Sequence, residues 1–120
     1  MIINTDCYLA VLKEYRTKWF DAHFEVITRT SKSCLSPSKE LLNYAKEKKI
    51  SFEEYKERFL KELKERPFVL EKLRTLKRIG EDRLIFLVCY EKDASKCHRS
   101  IVRDILMTPS KYGYDLSWKN

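Results

Sequence analysis

A thiol, an imidazole and a guanidinium follow one another at Cys97, His98 and Arg99, and a second thiol, Cys89, stands eight residues earlier. The polar stretch 90–96 runs between them. In the first turn of a helix, Arg99 could hold a phosphate or carboxylate together with the unpaired backbone N–H groups found there. Its plainer use is an ion pair with Glu91 or Asp93. An imidazole ordinarily titrates near neutrality, which suits His98 to proton transfer, or else it locks a loop through a backbone carbonyl. Cys97, beside Lys96 and Arg99 at a helix start, is placed to ionise, although cysteine is also a common buried hydrophobe. Glu91 could orient Arg99 or His98, or accept a proton. Cys89 points into the core or lies under the loop, and the two sulfurs can form a disulfide if the loop folds back.

Such residues need a strand before them and a helix after. Residues 84–88, Leu-Ile-Phe-Leu-Val, are apolar throughout, as in a strand buried on both faces, and Ile101, Val102, Ile105 and Leu106 recur at helical spacing. Strand, loop and helix in that order put 91–99 at the carboxyl end of a strand, where open α/β sheets bind ligands. An extended segment over 114–118 would close a βαβ unit with parallel strands. Upstream, residues 1–4 are β-prone, Tyr8, Leu12, Tyr15 and Trp19 mark a helix over 8–20, and 24–29 is a strand ending on Arg29. Ser36 and Ser38 flank Pro37 at a helix entrance. Three helices follow: 38–48, one opened by a capping box of Ser51 and Glu54, and one running from Pro67 to Gly80. The expected core is Phe52, Tyr55, Phe59, Leu63, Leu73, Leu76, Leu84, Phe86, Val88, Ile101 and Ile105. The expected fold class is α/β: a single three-layer Rossmann-like domain over 1–120 with a small, mostly parallel sheet of about four strands and a C-terminal βαβ unit.

With 120 residues, 43% of them hydrophobic, the chain can bury one core. No apolar run approaches the roughly 20 residues of a membrane span, and the first residues lack the basic start and apolar stretch of a signal peptide. A cytoplasmic protein is expected. The net charge of +7 is spread along the chain, without the concentrated basic arm of a dedicated nucleic-acid element. Arg74, Lys77 and Arg78 share a helix face that reads as solvated. Two glycines, three prolines and 36% charged residues fit a thermophile, where intracellular disulfides are tolerated. Cys7, Cys34, Cys89 and Cys97 include no Cys-x-x-Cys pair, so neither a metal site nor a cofactor is expected.

The segments Leu87-Val-Cys-Tyr-Glu-Lys92 and Cys97-His-Arg-Ser-Ile101 resemble the family called domain of unknown function 488. Its members carry an apolar strand ending in Cys and Glu, a short loop, and Cys-His-Arg opening a helix. Leu35-Ser-Pro-Ser-Lys-Glu-Leu41, followed by Phe52-Glu-Glu-Tyr55, is similar to that family's Ala-Pro-Ser helix start and the helix after it. The resemblance spans 24–118. It implies a Rossmann-like fold and suggests Arg29, Ser36, Ser38, Glu91, Cys97, His98 and Arg99 as site positions, without supplying a reaction. The favoured reading is a protein that binds a phosphate-containing or nucleic-acid-derived ligand at 91–99. Arg99, Arg29, Ser36 and Ser38 would contact the ligand, and His98, Glu91 and Cys97 are the catalytic candidates. The rivals are a non-catalytic nucleic-acid or protein interaction module and a thiol redox protein using Cys89 and Cys97. A phosphatase- or rhodanese-like cradle ranks lower.

Overall fold

A computed structural model describes residues 1–117. Its sheet has three parallel strands, with β3 (Ile85–Val88) between β1 (Ile3–Asn4) and β2 (His23–Val26). Ile3 and His23 both lie level with Ile85, and β2 stays in register up to Val26 beside Val88. A bridge from Tyr8 to Cys89 carries the pairing one step past β3. Every residue of β3 is buried, which explains its unbroken apolar run: a central parallel strand is covered on both faces.

The two faces have different covers. Phe86 and Val88 pack toward α1 (Leu12–Lys18), where Tyr15 meets the Phe86 ring edge-on at 5.5 Å and Phe24 stacks on it at 4.9 Å. Ile85 and Leu87 join the larger core made with α2 (Lys39–Lys46), α3 (Phe52–Glu65), α4 (Val69–Asp82) and α5 (His98–Met107). The result is the three-layer, Rossmann-like α/β arrangement, built on three strands where about four were expected. Tyr55, Phe59, Leu63, Leu73, Leu76, Phe86, Val88, Ile101 and Ile105 are buried, whereas Phe52 and Leu84 are partly so. Among the described residues, no helix is long and apolar enough to cross a membrane.

The entrances of α2 and α3 are capped as their sequences imply: Ser38 Oγ accepts from the Leu41 N–H and Ser51 Oγ from the Glu54 N–H. Four expectations need correction. The helix expected over 8–20 is a 3₁₀ turn, Leu9–Val11, followed by α1, and β2 stops at Val26, so Arg29 belongs to a second 3₁₀ turn, Arg29–Ser31. Helix α4 runs through Gly80 to Asp82. A Cβ at Gly80 would meet the Met1 side chain, which is exposed and free to turn away, and Ile85 Cδ1 at 3.1 Å.

The fourth correction concerns the C-terminal segment. Residues 114–117 form no strand, and Trp118 lies outside the described residues, so among the described residues no βαβ unit closes from β3 through α5. The turn Pro109–Tyr112 and Gly113, at φ 77°, lead the chain along the helices instead. Tyr114 and Leu116 are buried there; Lys64 donates to the Gly113 carbonyl and sits 3.7 Å above the Tyr114 ring. Arg74 donates to the Asp115 carbonyl, so one cation of the supposedly solvated face is bound. Period-two burial is present, but helices provide the partner surface.

Candidate functional site

Strand β3 delivers Cys89 at its end, the loop 90–96 turns on Asp93, and Cys97 is the N-cap residue of α5. The Asp93 carboxylate accepts from both the backbone N–H and the hydroxyl of Ser95, closing the loop locally. This brings Cys89 Sγ to 2.8 Å from Cys97 Sγ, with both cysteines free and buried. That spacing is beyond the roughly 2.05 Å of a disulfide bond and inside ordinary sulfur–sulfur contact. His98 Nε2 lies 2.6 Å from the carbonyl oxygen of Ile27. A carbonyl only accepts, so Nε2 carries the hydrogen. The other nitrogen, Nδ1, faces Cys97 Sγ at 3.6 Å. The Phe59 ring meets the imidazole edge-on at 5.8 Å, and Tyr55 stacks behind Phe59 at 6.3 Å.

The two thiols are driven apart electrostatically. A hydrogen bond from Cys89 holds the Cys97 thiol well below the usual thiol range; burial opposes this, while His98 and the Arg99 backbone N–H assist. The same bond, together with burial, pushes Cys89 up. The directions favour Cys97 as the sulfur that ionises first and Cys89 as the one that keeps its proton. Burial first, and the neighbouring sulfurs second, raise the Tyr55 hydroxyl.

Arg99 does something other than the two roles expected of it. Its side chain is fully buried. Nη1 donates to the Cys7 carbonyl at 2.6 Å, and Nη2 donates to the carbonyls of Glu91 and Lys92. Nε is buried without a partner among the described residues. Neither ion pair expected of it, with Glu91 or with Asp93, is its bonding arrangement. Glu91 is exposed and meets Arg99 through its backbone.

The remaining candidates bond elsewhere. Arg29 is exposed in its turn after β2. Ser36 Oγ donates to the Ser33 carbonyl, and Ser38 Oγ caps α2 while donating to Glu62. Arg66 holds the carbonyls of Cys34 and Ser36. The structure thus gathers Cys89, Cys97, His98 and Arg99, joined by the backbone of Glu91, whereas Arg29, Ser36 and Ser38 shape the neighbouring loop and helix entrance.

Sequence alone did not single out Tyr55 and Phe59 as neighbours of the sulfurs and imidazole. Their helical spacing marks them only as core. Arg103 stands six residues after Cys97, the Cys-x₅-Arg spacing of phosphatase cradles. Here the intervening residues are helical, which places Arg103 about 9 Å along the axis. Its Nε donates to the Ile3 carbonyl at 3.0 Å, so no cradle closes round Cys97. The donor atoms of Cys89, Cys97 and His98 lie within 4.8 Å of one another, a sulfur and imidazole set of the kind soft metal ions take.

Residues 13–109 match the family model described as the active DUF488-N3 subclade. The chain belongs to the DUF488 family. No curated protein and no solved structure matches it. The DUF488 match runs from α1 into the turn after α5, and so contains both sulfurs, His98 and Arg99. It leaves out β1 and Cys7, whose carbonyl Arg99 holds.

Proposed function

We propose that this DUF488 protein is a thiol redox protein in which Cys97 is the attacking sulfur and Cys89 its resolving partner. The observation that carries this is the 2.8 Å approach of the two sulfurs, with His98 Nδ1 beside Cys97. Cys97 as thiolate attacks one sulfur of an external disulfide. That S–S bond breaks, a mixed disulfide forms on Cys97, and the first external thiolate leaves. Cys89 then attacks Cys97 Sγ, and its proton passes by way of His98 or solvent to the departing sulfur. Counted from the thiolate form, the chain loses two electrons and the Cys89 proton, the first departing thiolate takes its proton from solvent, and the external disulfide becomes two thiols. A reducing, cytoplasmic setting would return the chain to the dithiol. Since both sulfurs are buried, the exposed loop 90–96 has to yield during exchange.

A phosphate-containing or nucleic-acid-derived ligand has less support. Both terminal nitrogens of Arg99 are occupied by carbonyls, so binding an anion would leave buried acceptors without donors.

Oxidised glutathione tests the redox reading. The native chain should lose two hydrogens in mass, and peptide mapping should join Cys89 to Cys97. Cys89→Ser should trap glutathione on Cys97, and Cys97→Ser should prevent the bridge. Free Cys89 and Cys97 at a potential of about −200 mV, which oxidises ordinary dithiol proteins, would sink the proposal.

A further inference from the structure

We propose that the reduced chain binds one thiophilic d¹⁰ cation, Zn²⁺ foremost, through Cys89 Sγ, Cys97 Sγ and His98 Nδ1. The three donors are buried and lie within 4.8 Å of one another. They come from the end of the central strand and from the N-cap and first residue of a ten-residue helix, which are rigid positions. The imidazole is also prepared for the task. Its Nε2–H is held by the Ile27 carbonyl at 2.6 Å, leaving Nδ1 toward the sulfurs. Metal-binding histidines are oriented by this kind of outer hydrogen bond.

Distances agree with a tetrahedral ion. Zn–S bonds of about 2.3 Å and Zn–N bonds of about 2.05 Å place sulfur and nitrogen about 3.6 Å apart and the two sulfurs about 3.8 Å apart. The observed separation of Cys97 Sγ and His98 Nδ1 is 3.6 Å. The sulfurs, at 2.8 Å, need to open by about 1 Å to match the tetrahedron, within reach of a small side-chain rotation. Two thiolates and a neutral imidazole cancel the charge of a divalent ion, which makes its burial affordable. Three protein donors leave one tetrahedral position for solvent or a small ligand, the pattern of reactive rather than purely structural zinc sites.

This inference does not rest on the redox reading. A metal requires the two sulfurs reduced and apart, whereas oxidation joins them and expels it. A chain that binds metal but never forms the disulfide would overturn only the previous proposal, and the reverse result would overturn only this one.

Co²⁺ added alone to the reduced full chain without oxygen is the direct test. One equivalent should produce thiolate-to-cobalt absorption in the near ultraviolet and tetrahedral d–d bands in the visible, and Zn²⁺ should abolish both. Without any substitution, Zn²⁺ should protect Cys89 and Cys97 from alkylation and leave Cys34 reactive. His98→Ala should weaken binding by more than the roughly 10–100-fold that loss of an outer-shell partner costs, and Cys97→Ser should cut the charge-transfer band to half or less, in each case with circular dichroism showing a folded chain. Cys34→Ala should bind as the natural chain does. Absence of the cobalt bands in the reduced natural chain, or bands of undiminished intensity in folded Cys97→Ser, would overturn the proposal.

Discussion

The guanidinium of Arg99 draws on acceptors far apart in the chain, the carbonyls of Cys7 and of Glu91 and Lys92. Arg99→Ala therefore leaves three buried or part-buried carbonyls without their donor. It should destabilise the protein by about 3 kcal/mol or more in urea unfolding. Arg99→Lys should rescue little, because an ammonium cannot reproduce a planar fork across separate acceptors. Recovery of stability in the lysine variant would count against this role. Residues 97–99 can be singled out from sequence by type and position, but what Arg99 and His98 hold cannot. Their partners are backbone oxygens, present at every residue and invisible in a side-chain pattern. The neighbourhood of Cys89 and Cys97 was easier to read, because a strand end and a helix start joined by a short loop must return close together.

Strand β2 and helix α4 meet at Glu25, which accepts from His23 at 2.8 Å and pairs with Lys72 at 2.6 Å. Burial works against the Glu25 carboxylate, but the bonds from His23 and Lys72 outweigh it and hold the carboxyl below its ordinary range. The folded chain therefore binds this proton less readily than the unfolded one. The pair's contribution is full above the ordinary value of 4.5 and is lost as pH falls through the folded value. Urea midpoints should drop between about pH 5 and about pH 3, and Glu25→Gln should flatten that limb. An unchanged slope in the variant would remove Glu25 from the acid response. Helices α2 to α5 are legible in sequence because an apolar stripe at helical spacing and a serine cap have few other uses. The segment 114–117 is not legible in the same way. Alternation of Tyr114 and Leu116 records which side chains are buried, not whether the backbone beside them is a strand or a helix.

For the molecule as a whole, closing Cys89 to Cys97 would restrict the unfolded chain by a loop of eight residues. A loop of that size is worth about 2 kcal/mol, so the oxidised form should unfold at higher urea than the reduced form, measured with and without a strong reductant. Equal or lower stability would mean that the bridge strains the end of β3. The three-layer order was readable because the all-apolar run of β3 admits only a centre covered on both sides. The strand count was not, since residues 114–117 of the fourth expected strand alternate in burial as a strand would without being one. The reach of Arg99 to residue 7 has one more consequence, for a chain as it is being made. Residue 7 is made well before its partners: β1 must wait for β3 to pair with it, and the Cys7 carbonyl must wait for Arg99, 92 residues later. Until β3 is made, β1 is an unpaired edge and Cys7 lacks the Phe86 and Val88 side chains that cover it, so the interval open to misplaced pairing spans the synthesis of the helices between them.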